Sequence, residues 1–335
     1  MRSRIPQRIL LVRFSSIGDI VLTFSVATTI KSLYPNCSVD FVTKAGFKEL
    51  LEACEDIDHV YTLDGSLQQL RNKIDFIQYD AILDLHHNLR TRLLLRFQFG
   101  KVYRFPKNNL EKWLLTTFKV KPKQIRHITE RYLETLRVFT KTNITGTAPK
   151  YLIPTEAKID LEQTLQLAPK KYVALAIGAQ FATKKLPIDL LIELVNKIQL
   201  PVLLLGGKED TKDAEFIISA VNKKDVYSAA GSATIHESAW MLKNSICLVT
   251  HDTGLMHIGA TFDIPMMVIW GNTTPDFGMY PFNTNRGSIE FFQSENLSCR
   301  PCSKIGHQQC PKGHFKCMRN QDIDLLAKRV NNLKV

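Results

Sequence analysis

The chain has 335 residues, 44% hydrophobic and 23% charged, with ordinary levels of Gly and Pro, a length that accommodates two domains. No run of eighteen apolar residues occurs, which excludes a helix that spans a bilayer, and the composition excludes a fibrous or disordered chain. The formal net charge of +12 is concentrated: twelve Lys/Arg and two acids lie between Arg90 and Arg131, so an anionic partner is favoured over an even, solubilising distribution.

The start of the chain is basic (Arg2, Arg4, Arg8), but Arg13 interrupts the apolar run and no small-residue cleavage site follows. A secretory signal is therefore not expected, and a cytoplasmic protein, free or on the inner face of a membrane, is. Ile9 to Phe14 reads as a buried parallel strand, broken by Ser15-Ser16-Ile17-Gly18-Asp19. A helix with Ile20, Phe24, Ala27 and Ile30 at helical spacing follows and stops at Pro35. Strands at Val39–Thr43, Val60–Leu63 and Ala81–Leu85 alternate with helical stretches, and Arg90 to Thr140 reads as mostly helical. Gly146 to Pro154 reads as a linker. Alternation then restarts with strands at Tyr172–Ile177, Pro201–Leu205, Val226–Ala229, Ile246–Thr250, Pro265–Trp270 and Ser288–Phe292, and a last helix begins near Asp322. This pattern predicts an α/β chain of two doubly wound, Rossmann-like domains, residues 1–150 and 151–335, facing each other across a cleft. Ligands would bind beyond the carboxyl ends of the strands.

Five motifs carry chemistry. Asp19 sits in the first turn of the first helix, where a carboxylate can serve as a general base or simply cap the helix. His251-Asp252-Thr253-Gly254-Leu255-Met256-His257 follows a strand and opens a helix, a place suited to a pyrophosphate. There Thr253 adds a hydroxyl, Gly254 permits close backbone approach, and His257 lies one turn along, facing the ligand or the core. Lys184 and Lys185, before Leu186-Pro187, can reach the same phosphates, or form an ordinary basic pair. Glu209, after Gly206-Gly207-Lys208, lies where ribose hydroxyls are bound in such sheets. Neither a Gly-x-Gly-x-x-Gly nor a P-loop pattern occurs.

Cys299, Cys302, Cys310 and Cys317 form the fifth motif. Their spacing suits a structural zinc site, with His307 or His314 as substitutes; reduced thiols packing a loop and redox-linked pairing are the other readings. No catalytic task is expected of them.

Taken together, Ser16-Ile17-Gly18-Asp19, Lys184-Lys185-Leu186-Pro187, Asp252-Thr253-Gly254-Leu255-Met256-His257 and Cys310-Pro311-x2-His314-Phe315-x-Cys317-Met318 closely resemble glycosyltransferase family 9, the heptosyltransferase family of lipopolysaccharide core synthesis. The resemblance implies a GT-B architecture and an inverting transfer from an ADP-sugar, ADP-heptose in the family, without a catalytic metal or other cofactor. It implies Asp19 as general base, Lys184, Thr253 and Gly254 on the donor phosphates, Glu209 on the ribose, and Asp252 and His257 shaping the donor pocket. Leu186 stands where the family usually has Trp. The basic segment, with Arg90, Arg92, Arg96 and Arg104, then becomes the side for a phosphorylated glycolipid acceptor, with peripheral membrane contact and no nucleic-acid partner. A nucleotide-sugar epimerase or hydrolase would leave that segment idle. A non-catalytic polyanion binder would use it alone, although no nucleic-acid motif is present.

Overall fold

A computed structural model of the chain describes residues 5–98, 100–121, 125–140, 144, 146–282 and 289–333. Arg2, Arg4 and Ser288, used in the sequence reading, lie outside the described residues. The chain divides into two compact units. Unit 1 comprises Met1–Lys107 and Arg126–Leu152, and unit 2 comprises Asn108–Ile125 and Ile153–Val335.

Unit 1 is built on a parallel sheet of β1 (Arg8–Val12), β2 (Ser38–Lys44), β3 (His59–Leu63), β4 (Ala81–Asp84) and β5 (Val102–Arg104), in the order β3-β2-β1-β4-β5. Ile9, Leu10, Leu11 and Val12 are fully buried, as the unbroken apolar run requires when helices cover both faces. Complete burial of such a side chain is worth about 1.5–3 kcal/mol. The Ile17–Leu33 helix is buried over most of its length. Its hydroxyl residues are accommodated because Thr23 and Thr29 donate to the carbonyls of Ile20 and Ser25, each at 2.6 Å. β5 corrects the expectation of a mostly helical segment after Arg90: it is three residues long, follows Lys101 and ends in Arg104, too short and too charged to read as a buried strand.

Unit 2 is built on β6 (Val173–Ala176), β7 (Val202–Leu205), β8 (Val226–Ser228), β9 (Cys247–His251), β10 (Met266–Trp270) and β11 (Ile289–Gln293), in the order β11-β10-β9-β6-β7-β8 and parallel throughout. The Ile188–Lys197 helix packs Leu191, Leu194 and Val195 into this core beside Leu326 and Val330 of the Ile323–Asn331 helix.

Residues 108–125, expected in the first domain, group with unit 2. The Lys119 ammonium explains the attachment: its three protons match the carbonyls of Thr116, Cys299 and Pro301 at 2.7, 3.1 and 2.7 Å. In unit 1, Arg131 is likewise turned inward, 1% exposed, donating to the carbonyls of Pro106 and Lys107. The basic segment is therefore not one continuous anion-facing surface. It is shared between two units, and part of its charge holds backbone.

Candidate functional site

Each sheet reverses its winding once, between β1 and β4 in unit 1 and between β6 and β9 in unit 2. Beyond the carboxyl ends of strands at such a reversal the connections diverge and leave room for a ligand. The residues singled out by sequence lie at these two places.

In unit 1, the Asp19 carboxylate accepts from both the Ser16 backbone N–H (3.3 Å) and the Ser16 hydroxyl (2.9 Å). It does cap its helix. It also pairs with Arg13, Nη2 to Oδ2 at 2.6 Å, and faces the Tyr132 hydroxyl at 3.5 Å. Arg13 is itself fixed by the carbonyls of Ser15 and Leu85, each at 2.6 Å, and by the Tyr132 hydroxyl at 2.8 Å. The side chain of Asp19 keeps 18% exposure and Arg13 keeps 11%, so the pair is sheltered but reachable.

Across the reversal, buried Asp84 at the end of β4 accepts from the backbone N–H of His87, the Thr91 hydroxyl and Arg104 Nε, at 2.7, 3.0 and 3.1 Å. Arg92 reaches His87 Nε2 at 3.2 Å. His86 is pushed down to about 4 by burial first, then by the charges of Arg13, Lys107 and Arg90, with Asp19 opposing. Burial, Arg13 and Arg92 also lower the Lys107 ammonium, against Asp84 and Asp19. A neutral imidazole thus lies within a cationic group around two carboxylates, Asp19 and Asp84, an arrangement suited to holding an anionic ligand near a base.

Of the four arginines expected on the acceptor side, Arg92 bonds His87, Arg104 pairs with Asp84 and Arg90 is close enough to act on His86. Arg96 does not join them. It lies beyond the Leu89–Leu94 helix, its guanidinium 4.3 Å from the Phe97 ring centroid, which also takes Arg71 at 4.5 Å.

In unit 2, Lys184 follows β6 and Asp252 follows β9, the two strands of the reversal. They form an ion pair, Nζ to Oδ2 at 2.6 Å, and the Thr273 hydroxyl donates to the same oxygen at 3.0 Å. Thr253 opens the Gly254–Gly259 helix without capping it through its side chain; its hydroxyl lies 3.4 Å from that of Thr250. His257, in that helix, is 3% exposed, a buried residue of unit 2.

The second lysine has a different task. Lys185 pairs with Asp210, which is 1% exposed and also accepts from the Gly207 N–H at 2.9 Å. A Cβ at Gly178 would stand 2.0 Å from the Asp210 carboxylate, and one at Gly206 would stand 2.9 Å away. Glycines at both strand ends thus make room for a buried carboxylate. Glu209, expected on the ribose, is exposed and its carboxylate lies over Gly207. Leu186 is buried, and its N–H donates to His251 Nε2 at 2.9 Å.

Sequence reasoning missed Arg13, Tyr132, Asp84, His86 and Lys107 in unit 1 and Asp210 and Thr273 in unit 2, and it gave His251 no task of its own within its motif. A signal existed for some of them: Arg13, Asp84 and His251 are polar residues at or just past the end of an apolar run, where a strand delivers its last side chain to a ligand.

The four late cysteines are free thiols. Cys299 Sγ lies 3.7 Å from His314 Nε2. Burial and the neighbouring sulfurs raise Cys302 and push Cys317 up to about 12. Among the described residues no three His, Cys, Asp or Glu are grouped to hold a metal ion. The four thiols gather at one place, each within electrostatic reach of others in the set.

The family model described as glycosyltransferase family 9 (heptosyltransferase) matches residues 67–311. Lipooligosaccharide heptosyltransferase 2 of Haemophilus influenzae is 24% identical over 97% of this chain and 99% of its own length. Lipopolysaccharide heptosyltransferase 1 of Pseudomonas aeruginosa is 24% identical over 89% and 86%. Among solved structures, a family 9 glycosyltransferase from Veillonella parvula superposes with a TM-score of 0.78 at 16% identity, covering 98% of this chain and 97% of that one. An E. coli heptosyltransferase with ADP gives 0.69 at 17%, covering 98% and 100%. At these identities the structural likenesses establish the fold, which is GT-B with two Rossmann-like units.

Proposed function

The chain belongs to glycosyltransferase family 9, and from that membership we propose that it moves a heptose from an ADP-sugar to a phosphorylated glycolipid of the lipopolysaccharide core type, with inversion. The curated relatives are named as lipopolysaccharide or lipooligosaccharide heptosyltransferases, and solved neighbours carry ADP or a fluorinated ADP-heptose. The observation that carries the donor assignment is the Lys184–Asp252 pair with Thr253 at the β6/β9 reversal.

In this reading the acceptor hydroxyl attacks the anomeric carbon while Asp19 takes its proton. The bond from that carbon to the diphosphate oxygen breaks, and the electron pair leaves with ADP. Two of the Lys184 N–H groups donate to Asp252, one to Oδ2 and one to its carbonyl at 3.4 Å, and the third is assigned to a departing phosphate oxygen. Charge developing on the leaving group is thus met by an ammonium already oriented, and we assign this neutralisation to Lys184 rather than to a metal. Glu209 is assigned to the ribose, and Arg90, Arg92 and Arg104 to acceptor phosphates.

Calorimetric titration with ADP, UDP, GDP and ADP-heptose, on the native protein and on Lys184→Ala, tests the proposal. Preferential binding of the adenine nucleotides, weakened by the substitution, supports it. Preference for UDP or GDP moves the donor to another class, and no binding at all removes the donor site.

A further inference from the structure

The Asn109–Phe118 helix presents its apolar face outward. Leu110, Trp113 and Phe118 are 65%, 46% and 60% exposed, while Leu115, on the opposite side of the helix, is 2% exposed and holds the helix to its unit. A helix on a water-facing surface ordinarily does the reverse. The patch continues in Val120 and Ile305, 53% and 61% exposed. Ile305 is brought in by its neighbour Lys304, whose ammonium reaches the Asn109 carbonyl at 3.3 Å. Trp113 and Phe118 pack edge to face, with ring centroids 5.2 Å apart, so the two rings form one apolar unit. A contiguous exposed apolar surface of this kind marks an interaction site.

The charges choose the partner. Exposed Lys121 and Lys304 stand among these apolar side chains, and Glu111 is the one acid of residues 108–121. Apolar side chains with Trp among them, fringed by lysines, match the boundary between acyl chains and anionic headgroups.

We infer that the Asn109–Phe118 helix, with Val120 and Ile305, is a bilayer-docking element that lies in the headgroup region of an anionic membrane. It deepens the glycolipid reading by naming the surface that meets the membrane. Its test reads vesicle binding, so the two can fail separately.

The full chain is sedimented with phosphatidylcholine vesicles with and without phosphatidylglycerol at low salt, and its tryptophan emission is followed. Trp270 is fully buried and the Trp240 indole is bonded to the Ile159 carbonyl, so a change on binding reports chiefly Trp113. The expected result is binding to the anionic vesicles, weakened by salt, with a blue shift. Trp113→Ser/Phe118→Ser should weaken binding about tenfold or more, and Lys121→Glu/Lys304→Glu should weaken it independently. Turnover on a water-soluble acceptor fragment should stay unchanged in both variants. All four positions are exposed, and unchanged melting shows that the fold is intact. Native protein that ignores anionic vesicles overturns the inference, as do variants that bind like the native chain. A concentration-dependent dimer abolished by the aromatic pair, with vesicle binding intact, assigns the face to a second copy and also overturns it.

Discussion

His251 Nε2 accepts a hydrogen bond from the backbone N–H of Leu186 at 2.9 Å, tying the end of β9 to the turn that carries Lys184 and Lys185. Because Nε2 accepts, the neutral ring carries its proton on Nδ1. Protonation would set two N–H groups against each other and release the turn.

A pH dependence follows. Burial, then Lys185, pushes His251 from 6.5 down to about 4, against Asp210 and Asp252. The unfolded chain therefore binds the proton first: stability is full above about pH 6.5 and falls as pH drops toward 4, by about 3 kcal/mol for this group. His86 acts in the same direction. His251→Gln can keep an acceptor for Leu186 but cannot titrate, so its melting temperature should fall less steeply over that window than the native one. Equal slopes would show that His251 does not contribute.

The two adjacent lysines should separate cleanly. Lys184→Ala is expected to weaken ADP binding about 10- to 100-fold, the loss of one charge-assisted hydrogen bond. Lys185→Ala strands the buried Asp210 and should instead lower stability, by about 1–3 kcal/mol because the lysine is partly exposed. Calorimetry and thermal melting on the same two variants check both halves.

Asp19→Asn keeps an acceptor for the Ser16 groups but removes the charge that faces Arg13. Turnover should drop by about 10²–10⁴ if Asp19 is the base, with ADP affinity unchanged because the donor contacts are assigned to unit 2. Full turnover at saturating acceptor would end the assignment.

At Gly178 a methyl group would meet the Asp210 carboxylate at 2.0 Å. Gly178→Ala should cost about 1–3 kcal/mol as Asp210 is displaced from Lys185. Denaturant titration measures it, and a neutral result would mean that the carboxylate has another place to go.

Much of this was legible in the sequence because apolar runs and their breaks report parallel strands directly. β1 and β9 follow from their composition, and the residues just after them were the ones marked as chemical. β5 was not legible, since three residues bordered by cations carry no apolar signature. Asp210 could not be told from Glu209: both follow Gly-Gly-Lys, and only packing shows which carboxylate is buried. Arg96 follows Arg92 by four residues but lies past the helix end, so that Arg92 meets His87 and Arg96 meets Phe97. The grouping of 108–125 with unit 2 depends on carbonyls some 180 residues away, a distance that local pattern cannot bridge.

That grouping has a further consequence. The chain leaves unit 1 after Lys107, returns at Arg126 and leaves again after Leu152, so no single cut yields both units whole. A fragment starting at Ile153 would lack the ammonium that gathers the Cys299 and Pro301 carbonyls, and a fragment ending at Leu152 would carry a helix with no seat. During synthesis that helix must wait, its outward Leu, Trp and Phe already made, until nearly the last tenth of the chain has emerged.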